Sequence, residues 1–314
     1  MTLLSMGDQV EPGDYAIHSR FNRAVNFTNG RRLVFLVDET IGAGPLNIVL
    51  RNLPSREATA GSSFLHVRPH VVAFENHRFR FTENQYYDSR LRFHRWSSDR
   101  FHRHVALLGE LLCETASPGS LAFLVDRSRA RNFKTGFERA WADQIARGVE
   151  QVFHGDLITG IEALRGCGWG LTPSGDDFIA GLLFGLNLFD KMHGWCLRTT
   201  MNAIFKAAAG TNPFSNTFLD LARRGLHFQK MKDLILALIQ EGEDSVRTSA
   251  ERLFGLGGSS GTDVATGFLM TVEAEGGTVV QWGEKAKEKG RFGSVPYPLR
   301  LSHPELVEKE AAVA

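Results

Sequence analysis

Over residues 15–82, apolar positions fall in short runs that are rich in β-branched residues or that alternate with polar positions. Such runs, divided by turn signals such as Asn29-Gly30, predict β-strands. The runs occupy residues 32–37, 46–50, 63–67, 71–74 and 79–82. We therefore expect a small, mostly antiparallel sheet or barrel of about five or six strands.

From about residue 100 onward, apolar positions recur at helical spacing instead. The pattern predicts helices at residues 101–113, 137–164 with a break near 155–160, 176–190, 196–209, 214–224, 230–241, 243–254 and 262–274. The expected fold class is therefore α+β. We expect a β-rich N-terminal domain at residues 1–110, a helical domain at 111–275 and a charged C-terminal extension at 276–314.

One predicted helix is apolar on nearly every face, from Phe178 to Leu186, which is typical of a buried central helix. It contains Gly181 and Gly185, which are four residues apart and so share a face. Each glycine costs ~1 kcal/mol in helix propensity relative to alanine. That cost indicates that a neighbouring helix approaches closely.

A dense polar cluster, Thr172-Pro173-Ser174-Gly175-Asp176-Asp177, lies between a glycine-rich loop and this helix. Ser174 can cap the helix, Asp177 can complete a shortened capping box, and both carboxylates suit the positive end of the helix dipole. Capping does not explain why two consecutive carboxylates and two hydroxyl groups crowd the loop. A binding site does.

The pattern returns later in the chain, since residues 260–267 repeat the serine, both glycines and the second aspartate of residues 174–181. Both copies follow a glycine loop and precede an apolar run. Chance or two ordinary caps would also give such a short repeat. A pseudo-twofold pair of helices would instead bring two helix N-termini together, which favours anion binding. The counterpart of Asp176 in the second copy is Thr262, so we predict that Asp176 points into the pocket.

The run from Gly170 to Gly181, with the later Ser-Gly-x-Asp-x-x-x-Gly run, resembles a bacterial family of unknown function. One branch of that family is a subunit of oxamate carbamoyltransferase, which acts in allantoin degradation, a branch of purine catabolism. Residues 211–219 are also similar to the family, and residues 18–26 and 44–47 are so more loosely. The resemblance covers roughly residues 15–275.

The resemblance implies a transferase subunit that moves a carbamoyl group between phosphate and an amide nitrogen, and that works with other subunits of a complex. On this interpretation, Asp176 and Asp177 are the catalytic candidates. The residues expected to bind a small anionic substrate are Gly170, Thr172, Ser174, Gly175, Asn212, Ser215, Ser259, Ser260 and Asp263. The aspartates would orient the amide or hold Mg²⁺ through water. We prefer these roles to that of a general base, because a base needs a raised pKa and the helix dipole opposes such a shift. We expect no other metal site, because no cluster of ligands has metal spacing.

Composition excludes several classes of protein. The net charge of +1 gives no sign of a nucleic-acid partner. No apolar stretch is long enough to cross a membrane, and no secretory signal opens the chain, so we expect a cytoplasmic protein. The three cysteines predict neither a disulfide framework nor a zinc ribbon. Six of the eleven histidines lie in residues 66–104, where a solvated surface, a docking face and a metal site are all conceivable.

Two other function classes stay open. A non-catalytic scaffold or binding subunit would need the caps only for stability. A nucleotide- or phosphate-binding protein is a further alternative, although no Gly-Lys-Ser/Thr follows the glycine loop and no strand leads into a dinucleotide fingerprint.

Overall fold

The computed structural model describes residues 1–53 and 64–274. The N-terminal part is a nine-stranded sheet in the order β8-β7-β6-β2-β3-β4-β5-β1-β9. The strands are β1 (Thr2–Gly7), β2 (Gly13–Arg20), β3 (Ala24–Thr28), β4 (Leu33–Asp38), β5 (Asn47–Arg51), β6 (Phe64–Arg68), β7 (Val71–Phe74), β8 (His77–Arg80) and β9 (Tyr86–Tyr87). Most neighbours are antiparallel, but β4 pairs with β5, and β1 with β9, in parallel.

The sheet curls into a half-barrel around its own apolar core, which includes Tyr15, Phe27 and Phe74. Strand β6 shows the alternation of a strand with one buried face. Strand β4 is different, because five of its six residues are buried. Its Val34 and Leu36 point into the barrel core, whereas Phe35 and Val37 belong to a second cluster that packs against a helix. This second cluster joins the sheet to the helical part.

Helices follow from residue 98 onward and share one large core. They are α1 (Ser98–Thr115), α2 (Gly136–His154), α3 (Leu157–Leu164), α4 (Ser174–His193), α5 (Arg198–Ala208), α6 (Pro213–Arg223), α7 (Gln229–Gln240), α8 (Glu243–Phe254) and α9 (Ser260–Glu273). Fifteen of the twenty residues of α4 are buried, as expected of a central helix. No helix in residues 1–53 and 64–274 combines the length and the apolar character that a membrane span requires.

Helices α4 and α9 approach so closely that their backbones touch. A Cβ added to Gly181 would lie 2.0 Å from the Val264 carbonyl oxygen. A Cβ added to Gly267 would lie 2.1 Å from the Phe178 carbonyl oxygen. These are equivalent positions of the two repeat copies, so the pair of contacts follows a local twofold relationship.

The predicted α+β class is confirmed, with strands up to Tyr87 and helices from Ser98. The predicted strand number was too low, because β1, β2 and β3 lack a compact β-branched run and β9 has only two residues. The mostly antiparallel expectation holds apart from the two parallel pairs. The domain limits at residues 110 and 275 stay predictions. The predicted C-terminal extension lies outside the described residues.

Candidate functional site

Two similar helix–loop–helix units form the centre of the helical part. In α3–α4, the Cys167 amide donates to the Leu164 carbonyl and the Gly175 amide donates to the Cys167 carbonyl (3.0 and 2.8 Å). In α8–α9, Leu256 donates to the Leu253 carbonyl and Gly261 to the Leu256 carbonyl (2.9 and 3.0 Å). The prediction that the two repeats start neighbouring helices is confirmed. Both first-turn glycine amides, however, are occupied by their own loops.

The motif carboxylates accept hydrogen bonds both from the other unit and from their own unit. Asp177 is hydrogen-bonded to Ser260, and Asp263 is hydrogen-bonded to Ser174. Thr172 also donates to Asp177 (Oγ1 to Oδ2, 3.1 Å), and Ser259 donates to Asp263 (Oγ to Oδ2, 2.9 Å). The expected cap by Ser174 was wrong: Ser174 is the first helical residue, Pro173 occupies the cap position, and no side chain caps α4.

Burial changes the acidity of both carboxyl groups. Burial raises the pKa of Asp263 to about 6, although bonds from the Leu121 amide, Ser174 and Ser259 oppose the shift. Burial also raises the pKa of Asp177 well above its usual value, and the charge of Asp263 adds to that effect. Desolvation therefore outweighs the helix dipole, which was expected to keep the pKa values of these groups low.

This acidity predicts an unusual pH dependence of stability. The folded protein holds the Asp263 proton up to a pKa of about 6, whereas the unfolded chain releases it near 3.8. Folding therefore takes up a proton between these values, and the free energy of unfolding contributed by this site falls as the pH rises through that window. The slope is up to ~1.4 kcal/mol per pH unit for one proton. Chemical denaturation of wild type and Asp263→Asn between pH 4 and 7 measures it.

The difference in stability between the two proteins should change across the window, because Asp263→Asn has no proton to lose at this position. Asp143→Asn, on the exposed face of α2, serves as the control and should run parallel to wild type. If the stability of Asp263→Asn and that of wild type changed with pH in the same way, the folded protein would not retain this proton.

Asp176 was predicted to point into the pocket, but its side chain bonds to the glycine-rich loop instead. It is buried, and its Oδ1 accepts a hydrogen bond from the Gly166 amide at 2.7 Å. This bond ties the start of α4 to the glycine-rich loop. The position equivalent to Asp176 is Thr262, which is fully buried and whose hydroxyl has no hydrogen-bond partner among the described residues. The two units therefore differ here, and Asp176 holds its loop.

The polar segment at residues 211–217, where α6 begins, contacts the glycine-rich loop. Asn212 caps α6 by accepting from the Phe214 and Ser215 amides, and its Nδ2 donates to the Leu171 carbonyl at 2.9 Å. Ser215 is buried, and its hydroxyl has no partner within residues 1–53 and 64–274. The three segments that carry the predicted binding residues, 168–177, 211–217 and 257–263, therefore meet. Asn212 joins the first two, and Thr172 and Ser260 join the first and the third (Oγ1 to Oγ, 3.4 Å).

A cavity of about 650 Å³ opens beside the motif, between the sheet and the helices. Of the predicted site residues, Thr172, Asp177 and Ser260 line it. The other predicted residues lie outside the lining: Gly170, Ser174, Gly175, Asp176, Asn212, Ser215, Ser259 and Asp263. Ser174 and Asp263 form the layer behind Asp177 and Ser260, whereas Asn212 holds the loop that carries Thr172.

The sequence reasoning missed the cationic residues of the cavity. Arg20 is the last residue of β2, Arg23 lies in the β2–β3 turn, and Lys230 lies in the first turn of α7. Burial lowers the pKa of Lys230, and the charge of Arg23 lowers it further. The similarity of residues 18–26 to the family was a signal for the two arginines. No local sequence pattern indicated that Lys230 belongs to the site.

A metal site has little support in the same geometry. No group of three or more His, Cys, Asp or Glu side chains suited to a metal ion occurs within the described residues. Asp177 is the single carboxylate among the described residues of the cavity lining. Mg²⁺ at this place would have one protein carboxylate and would depend on water and substrate oxygens.

The fold and the site together define an α+β protein with a cavity between a half-barrel and a set of packed helices. Residues 164–272 match the model of the family described as "Oxamate carbamoyltransferase subunit AllH". The match runs from the last residue of α3 to the penultimate residue of α9, so it covers about a third of the chain and contains both motif copies. Comparisons with curated proteins and with solved structures found no match.

Proposed function

We propose that this protein is a subunit of a carbamoyltransferase of the oxamate type, which works together with other subunits. The cavity would bind the small anionic substrate, oxamate or carbamoyl phosphate. The observation that carries the proposal is the position of Asp177, Thr172 and Ser260. These residues of the family-matched segment line the same cavity as Arg23 and Lys230.

Anion recognition would come from the cations rather than from free helix amides. Lys230 is half-buried, and the charge of Arg23 acts on it. Two neighbouring cations in a partly desolvated place repel each other, and a bound anion relieves that repulsion. The hydroxyls of Thr172 and Ser260 would add hydrogen bonds, as the sequence suggested.

Asp177 would act on the amide of oxamate. When the amide nitrogen attacks the carbamoyl carbon, a new C–N bond forms and the C–O bond to phosphate breaks, so that phosphate leaves with the electron pair. The nitrogen must then lose a proton. A carboxylate with a raised pKa is suited to accept it, because general bases work best when their pKa lies near the working pH. The raised pKa of Asp177 removes the objection to a base role.

Lys230→Met tests this proposal in the assembled enzyme. Lys230 makes no hydrogen bond or ion pair with another described residue, so its loss should leave the fold intact. We expect kcat/KM for carbamoyl transfer to fall on the order of a hundredfold, as when a clamp on a charged group is removed. Lys134→Met, which removes an exposed charge outside the cavity lining, is the matched control and should keep full activity.

A scaffold role is the second candidate, and the surface around the glycine-rich loop favours it. Phe137 and Trp169 are 69% and 56% exposed, and their ring centroids are 5.8 Å apart. Trp169 also packs against Trp141 at 5.1 Å. Exposed aromatic clusters of this kind are typical of subunit interfaces. Full activity of an assembled Lys230→Met complex would support the scaffold role and reject substrate binding by this chain.

A further inference from the structure

The walls of the cavity are mainly apolar. Of the 29 residues that line it, 17 carry apolar side chains. Phe35 of β4 and Phe218 of α6 stack with centroids 5.5 Å apart and an interplanar angle of 10°. Phe184 and Phe228 meet edge to face at 6.0 Å. A small, strongly hydrated anion gains nothing from such surfaces, because its charged form loses solvation beside them.

The cavity has few charged side chains, and most of them are cationic. Arg23 donates to the Thr40 hydroxyl at 3.1 Å, and Lys230 has no hydrogen bond or ion pair to another described residue. Asp177 is engaged by Thr172 and Ser260. A volume of about 650 Å³ lies within the range of ~300–1,000 Å³ that is usual for sites of larger organic ligands, whose walls are mostly apolar with a few placed polar groups.

We propose that the cavity binds an amphipathic carboxylate, with its carboxylate on Arg23 and Lys230 and its apolar body against Phe35 and Phe218. This inference rests on the cavity of the proposed function and widens the class of its ligand. Such a ligand contacts both the apolar walls and the charged groups of the cavity, whereas oxamate contacts only the charged groups. Because the carboxylate of this ligand and the carboxylate of oxamate bind the same two cations, the amphipathic ligand competes with oxamate.

Calorimetric titration of the full chain with three probes separates the contributions. Octanoate has the carboxylate and the apolar chain, acetate has only the carboxylate, and octanol has only the chain. Octanoate should bind about a hundredfold more tightly than acetate, because burial of each methylene group adds to affinity. Octanoate should also bind about tenfold or more tightly than octanol, because only octanoate meets the cations.

Two variants place the binding in this cavity. Lys230→Met should reduce octanoate affinity to that of octanol. Phe218→Ser should weaken octanoate but leave acetate unchanged, and thermal melts establish that both variants are folded. Lys134→Met is the control and should match wild type. In the assembled transferase, octanoate should raise KM for oxamate without changing kcat.

The alternative outcomes are distinct. Equal binding of acetate, oxamate and octanoate would overturn the amphipathic ligand and keep the small-anion site of the proposed function. Octanoate binding that survives both Lys230→Met and Phe218→Ser would place the ligand elsewhere and overturn the inference. If neither oxamate nor octanoate binds, and Lys230→Met keeps full transfer activity, the inference and the proposed substrate site both fall.

Discussion

Gly181→Ala will destabilise the protein by about 3 kcal/mol or more, enough to remove much of the stability of an ordinary domain. The added Cβ would lie 2.0 Å from the Val264 carbonyl oxygen and 2.8 Å from the Phe268 amide nitrogen. Both atoms belong to the backbone of α9, so no side-chain rotation relieves the clash. The two helices must separate, which opens the most buried part of the core. Chemical denaturation followed by circular dichroism measures the loss.

Gly109→Ala is the matched control, because Gly109 also lies within a helix, α1. A Cβ there would meet its nearest atoms, in Leu269 and Glu273, at 3.7 Å, which is ordinary van der Waals contact. This substitution should stabilise the protein by up to ~1 kcal/mol through helix propensity. If Gly181→Ala were as stable as Gly109→Ala, the close packing of α4 and α9 would be refuted.

Asp177→Asn will lower the rate of carbamoyl transfer by about 10²–10⁴-fold, the usual contribution of a general base. The amide cannot accept the proton that the attacking nitrogen loses. The fold should survive, because removal of a buried charge with a raised pKa relieves desolvation. Transfer kinetics of the reconstituted complex, together with a melting temperature, measure both effects.

Asp176→Asn is the internal control at the neighbouring position. Its Oδ1 can still accept the Gly166 amide, so the loop and the activity should both remain close to wild type. The reverse result, with activity lost in Asp176→Asn and kept in Asp177→Asn, would return the catalytic role to Asp176. If neither variant loses activity, neither carboxylate takes part in the mechanism.

Much of the helical part could be predicted because helical periodicity is a local property. Helix α8 was expected at residues 243–254 and lies at Glu243–Phe254, and the break between α2 and α3 was expected near residues 155–160. The sheet was harder to predict. Strand β4 was recognised as a strand, but its parallel partner β5 could not be derived from either segment alone. Pairing direction depends on the path of the chain between the strands.

The sequence by itself determined the positions of the helices, the close approach at Gly181 and the repeat that pairs α4 with α9. Each of these follows from local spacing or from the absence of a side chain. Only the tertiary structure decided which carboxylate faces the cavity, because Asp176 and Asp177 lie about 100° apart on one helix and the surrounding elements choose between them. It also brought Lys230 to Arg23, more than 200 residues away in sequence. Burial and charge proximity depend on distant parts of the chain, and no local pattern records them.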